Sequence, residues 1–141
     1  MAGLATTTTN GTSRATRSGV VLTGLELAGI GGLTSMIAIH ATELAGKTDE
    51  VAYLGFGYLA LIVASVLSIV MIGTRDRRGW VLAGATAAAT LVGYVLTRTT
   101  GLPGSHDDVG NWSETLAVWS MITEIGVVAL AMAALRPTRQ T

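Results

Sequence analysis

The 141 residues carry nine Lys and Arg against nine Asp and Glu, giving a formal net charge of zero; half of them are hydrophobic, 13% are charged, and the mean hydropathy is +0.55. A water-soluble domain of this length needs far more charge to cover its surface, so the apolar residues must face lipid or one another, and there is no basic excess to bind nucleic acid. No cysteine is present, which excludes disulfides, thiolate metal sites, iron–sulfur clusters and a cysteine nucleophile.

Residues 1–18 are a Thr, Ser, Ala and Gly tract with Arg14 and Arg17 near its end and no hydrophobic period. They read as a disordered tail. A signal-peptide n-region is the competing reading, but the apolar stretch that follows is longer than an h-region and carries Glu26, so an uncleaved first span is favoured.

Four apolar segments follow, at about 19–40, 51–73, 80–97 and 115–135, each near the length needed to cross a hydrocarbon core of ~30 Å at ~1.5 Å rise per residue. The joining stretches are short: polar 41–50, the basic turn TRDRRG at 74–79, and the glycine-rich loop 98–114, with RPTRQT closing the chain after the last span. The expected fold is all-α, a transmembrane four-helix up-down-up-down bundle, because irregular backbone is not tolerated against lipid.

Seven arginines, Arg14, Arg17, Arg75, Arg77, Arg78, Arg136 and Arg139, fall on one side of this arrangement, and only Lys47 and Arg98 on the other. The positive-inside rule then places both termini in the cytoplasm and the loops 41–50 and 98–114 outside, in a multi-pass protein of the cell membrane. Tyr53, Phe56, Tyr58, Tyr94, Trp112 and Trp119 lie towards the outer ends of their spans and Trp80 at an inner end, as in an interfacial aromatic belt.

The residues with chemistry to offer lie within or against the spans. Glu26, Leu33 and His40 share a helix face that Glu43 continues; Ser113, Ala117, Ser120 and Glu124 form a second stripe, and Thr86, Thr90, Gly93 and Thr97 a third. Turned inward, the three stripes make a polar seam. Ionised carboxylates in hydrocarbon cost several kcal/mol, so Glu26 and Glu124 are expected to be protonated, paired or wet. Interhelical hydrogen bonds explain such acids as well as a proton or ligand path does.

Arg98, at the outer boundary, can pair with Glu43 or Glu114. The run Gly101-Leu102-Pro103-Gly104 is a turn signal that folds the loop onto the helix ends with Trp112, and Asn111 or Ser113 can cap the fourth helix. His40, Glu43 and His106 are weak candidates for metal ligation, since the tight H-E-x-x-H spacing of a zinc helix is absent. The expected pocket is therefore Glu26, His40, Glu43, Arg98, Glu114 and Glu124, with no catalytic residue and no cofactor assigned.

HATEL at 40–44, YLG at 53–55, GYVLTRTTGLPG at 93–104, NWSE at 111–114 and the stretch 120–124 resemble a family of uncharacterised four-span integral membrane proteins common in actinobacteria. The likeness covers about 19–135, and the run RTTGLPG is its most specific part. It implies the membrane location and the four-helix architecture, and no activity.

Three function classes stay open. A structural or accessory subunit of a larger membrane complex, or a self-associating homo-oligomer, leads, supported by small size, short loops and the small-residue runs Gly24-x-x-x-Ala28-x-x-x-Gly32 and Gly84-x-x-x-Ala88. A small-ligand, proton or ion binding or transfer protein comes second, and a membrane-embedded metal or redox enzyme third. The partner common to all three is the lipid bilayer.

Overall fold

The computed structural model describes residues 22–137, so the N-terminal tail and the first residues of the expected first span lie outside it. Four helices make up the described chain: α1 (Gly24–Glu50), α2 (Ala52–Gly73), α3 (Arg78–Thr99) and α4 (Thr115–Leu135). All four are long and apolar enough to cross a membrane. The all-α bundle expected from hydropathy is what the chain forms, with α1 packed on α2, α2 on α3, α3 on α4 and α4 back on α1. Both termini of the described chain and the α2–α3 turn lie at one end, here the terminal end. The α1–α2 junction and the loop 100–114 lie at the other, the loop end.

The helix boundaries have local causes. Thr23 starts α1 with a capping box: its side chain accepts from the Glu26 N–H, and the Glu26 carboxylate accepts from the Thr23 N–H at 2.7 Å. The helix continues through the polar stretch 41–50, which hydropathy reads as a loop. Extended Val51 alone separates it from α2. The apolar length between Glu26 and Glu43 is about 25 Å at ~1.5 Å per residue. Glu26 sits in the first turn of α1, not well inside the helix.

At the opposite end of α2, Arg75 takes a left-handed φ of 63°, and Asp76 N–H bonds the Met71 carbonyl at 2.9 Å, a tight helix C-terminus of Schellman type. The α4 N-cap is Glu114 itself, with no side-chain capping bond. Neither Asn111 nor Ser113 plays that part, and the Glu114 carboxylate is engaged elsewhere.

Packing is dense at the terminal end. Trp80 of α3 reaches across to Gly29 of α1, its indole so close that a Cβ at position 29 has no room. This aromatic, expected as an interfacial anchor, is a buried plug. A Cβ on Gly32 would stand 2.8 Å from the Val127 side chain, and one on Gly84 3.0 Å from Ala131. Leu33, Met36, Ile72, Ala83, Ala87, Val127 and Ala131 complete this core. Of the small-residue runs, Gly32 and Gly84 thus make close approaches, whereas Gly24 meets nothing and Ala28 and Ala88 are exposed.

Gly29→Ala should lower thermal stability in detergent by about 1–3 kcal/mol through overpacking against a rigid ring. The double variant Gly29→Ala, Trp80→Leu should recover part of that loss. Equal melting temperatures for wild type and Gly29→Ala would remove the ring contact as the constraint on position 29.

Candidate functional site

The loop half of the bundle is hollow. A cavity of ≈ 520 Å³ runs from beneath the loop 100–114 to the middle of the helices. The three polar stripes line it in large part: His40 and Glu43 from α1, Thr86, Thr90, Gly93 and Thr97 from α3, and Ala117, Ser120 and Glu124 from α4. Arg98 and Glu114 join them near the loop. Glu26, expected in the same pocket, is held by its capping box at the terminal end.

Asp108 organises the roof. Its carboxylate accepts from Arg98 Nη1 at 2.8 Å through one oxygen and from Lys47 Nζ at 3.0 Å through the other. Arg98 is 5% exposed and gives its second terminal nitrogen to Glu114 at 2.7 Å, while Lys47 also binds Glu50 at 2.8 Å. Of the partners foreseen for Arg98, Glu114 is taken and Glu43 is not; Asp108 stands in its place. Burial alone raises the Asp108 carboxyl, but hydrogen bonds from Lys47 and Arg98 outweigh it and hold the group below the usual aspartate range.

The loop backbone is shaped to bring Asp108 there. Leu102 to Ser105 is a turn with both cross-bonds made, at 2.9 and 2.8 Å, and Gly104 at φ 79° occupies the position a type II turn reserves for a left-handed residue. Gly101, at φ 73°, lets the chain leave α3, and the His106 ring packs over it. Tyr53 donates to the Pro103 carbonyl at 2.8 Å, and Ser105 donates to Glu50. Trp112 meets Tyr94 edge-on at 5.9 Å, and the Arg98 guanidinium lies 5.4 Å from the Tyr94 ring centre. Gly101, Leu102, Pro103, Gly104 and Trp112 thus belong to a loop held over the helix ends, the lid.

The floor carries a different chemistry. Glu124 is 1% exposed; one carboxyl oxygen accepts from Ser120 at 2.7 Å, and the other has no hydrogen-bond partner. His40 Nε2 stands 3.7 Å from the first oxygen. Its Nδ1 is 2.9 Å from the Met36 carbonyl, which can only accept, so Nδ1 carries a hydrogen. Nε2 then faces the carboxyl, and the pair attracts only when it holds one further proton between them. Tyr58, foreseen as an interfacial aromatic, turns inward: its ring centre is 5.0 Å from that of His40 and its hydroxyl donates to Glu43 at 3.3 Å.

Among the described residues no three His, Cys, Asp or Glu side chains are grouped to hold a metal ion. His106 is exposed on the lid, while His40 and Glu43 line the cavity beneath it. Sequence reasoning passed over Lys47, Tyr58 and Tyr94 as site residues and considered Asp108 only as a weak metal ligand beside His106. For Asp108 a signal existed: among the described residues Lys47 and Arg98 are the only Lys or Arg side chains at the loop end, and burying either requires an acid.

No family model, no curated protein and no solved structure matches the chain.

Arg98→Ala should cost about 1–3 kcal/mol, because it leaves half-buried Asp108 with Lys47 alone and Glu114 without its cation. The Asp108 contribution has a defined pH window. Its folded-state pKa lies below the unfolded value of ~3.9, so the stabilisation is complete above that value and is lost as pH falls through the folded one. Limited proteolysis in the loop 100–114 should therefore accelerate below about pH 4 in wild type. In Asp108→Asn it should be fast already at pH 7. A loop equally resistant at pH 7 in both proteins would contradict the role given to Asp108.

Proposed function

We propose that the cavity binds a small organic cation carrying hydrogen-bond donors, with Glu124 as its anchor and the His40–Glu124 proton as the species it displaces. The observation that carries this is the Glu124 oxygen, buried in the cavity wall without a partner. An unpaired buried acceptor costs roughly 1–3 kcal/mol, which a ligand donor would recover.

The rest of the wall favours the same ligand chemistry. Thr90 donates to the Thr86 carbonyl, Thr97 to the Tyr94 carbonyl, Ser120 to Glu124 and Tyr58 to Glu43. These hydroxyl hydrogens are spent within the protein, and what their oxygens still offer is acceptance. Lys47 Nζ and the two terminal nitrogens of Arg98 are paired with Asp108, Glu50 and Glu114, and only Arg98 Nε is left without a partner. An anion would find no free positive charge, whereas Glu43 and Glu124 have no cationic side chain from Lys or Arg bound to them. A volume of ≈ 520 Å³ suits an organic molecule far better than a bare ion.

This puts ligand binding ahead of the accessory-subunit reading, since a purely structural bundle has no use for a hollow half with an unpaired acid in it. The excess of arginine at the terminal end supports a membrane orientation with both termini cytoplasmic and the lid outside. The likeness to four-span actinobacterial proteins is compatible with this proposal and adds no ligand to it.

Benzylammonium is a suitable probe. Wild-type protein in lipid nanodiscs should bind it with an affinity that rises up to tenfold per pH unit while the His40–Glu124 pair still holds its proton, because each cation bound releases one proton. Glu124→Gln should weaken binding at least tenfold, about 1.4 kcal/mol, and flatten the pH dependence. Unchanged affinity in Glu124→Gln sinks the proposal. So does native mass spectrometry that finds stoichiometric foreign subunits together with no benzylammonium bound to wild type.

A further inference from the structure

The cavity is roofed by the loop 100–114. On the axial route Arg98 and Ser105 are each 5% exposed, and Asp108 ties the loop to α1 and α3. The α2–α3 face is different. These helices touch tightly at their turn, where a Cβ on Gly79 would stand 2.8 Å from Met71 and 2.9 Å from Ile72. Towards the loop end comes a gap in burial: α2 buries nothing between Gly55 and Ser65, and α3 nothing between Ala87 and Arg98. Gly57 and Ala60 of α2 and Ala89 of α3 line the cavity and are exposed. A Cβ added at Gly57, or at cavity-lining Gly93, would meet nothing within 4 Å.

The depth of this gap coincides with that of the unpaired acid. Glu124 lies ten residues below the Glu114 cap of α4, and Ala89 ten residues below the Thr99 end of α3. At ~1.5 Å per residue both are about 15 Å beneath the loop end. The outer surface beside the gap is apolar, with Phe56 72% and Val92 60% exposed, as hydrocarbon contact requires.

Building on the cation-binding reading above, we infer that the gap between α2 and α3 is a lateral portal to the bilayer and that the ligand is a lipophilic amine. Its ammonium head reaches Glu124 and its alkyl chain lies out through the gap into lipid. Small residues at Gly57, Ala60, Ala89 and Gly93 leave the passage open at the depth of the anchor, so the charged head need not pass the lid. The same four positions, filled with larger side chains, would close it.

Two probes test this in nanodiscs of fixed lipid composition, dodecylammonium and the short benzylammonium, with binding at equilibrium compared between wild type and Gly57→Leu, Gly93→Leu. Partitioning into lipid is common to both proteins and cancels. The double variant should lower the affinity for dodecylammonium at least tenfold more than it lowers that for benzylammonium. Unchanged dodecylammonium affinity overturns the portal while leaving the cation site standing. Loss of both probes from a folded double variant overturns the assignment of the gap to the chain. Wild type that binds neither probe overturns the portal and the cation site together. Should the double variant not fold, Ala89→Leu, at an exposed position, carries the same comparison with the same outcomes.

Discussion

The loop end depends on one carboxylate. Two cations, Lys47 on α1 and Arg98 on α3, are drawn out of water where the helices converge under the lid, and charges so placed are tolerable only when paired and hydrogen-bonded. Asp108 meets both, one oxygen to each. The loop 100–114 must therefore fold inward, and its glycines at positive φ are what allow a chain of that length to do so. The lid is a consequence of charge compensation, and its aromatic contact, Trp112 on Tyr94, follows from where that compensation pulls it.

That pairing also decides what the cavity beneath can recognise. If Lys47 and Arg98 faced the cavity unpaired, it would attract anions. With their charges paired to Asp108, Glu50 and Glu114, they leave an interior dominated by acceptors, Arg98 Nε being an unpartnered donor. The hollow half has a packed counterpart: Gly29, Gly32 and Gly84 let the terminal half of the bundle close, with Trp80 filling the centre. With α2 and α3 fixed at the tight turn and α1 and α2 joined through Val51 alone, the space that opens between them lies towards the loop.

Much of this was legible in the sequence. Spans two to four emerged from hydropathy close to their observed limits, since each is bounded by polar or turn residues. Helical spacing alone put Thr86, Thr90, Gly93 and Thr97 on one face and Ser120 with Glu124 on another, and both faces line the cavity. The first span was less legible. Glu43, Lys47, Asp49 and Glu50 lower its hydropathy, yet nothing there breaks a helix before Val51, so polarity was mistaken for a loop. Glu26 was misplaced for the related reason that a Thr followed three residues later by Glu is a capping box, a signal of a helix start that outweighs the apolar residues before it. Tyr58 and Trp80 sit at sequence depths where aromatics serve as anchors; only the direction of each side chain turns them into wall and plug, and a helix carries that information in its packing partners.

Glu124 remains the residue whose cost demands a reason. A hydrogen-bonded neutral acid can hold helices together, and Ser120 already provides one such bond, but it does so four residues away on the same helix and so joins nothing. The contact towards α1, His40 at 3.7 Å, is too long for a hydrogen bond, and the second oxygen has no partner at all. Replacing Glu124 with an apolar residue would remove the desolvation cost without breaking any interhelical hydrogen bond. An acid that is a poor fastener, sits at the floor of a cavity of acceptors and lies level with a gap to the bilayer is placed where a donor arriving from outside the protein would complete it.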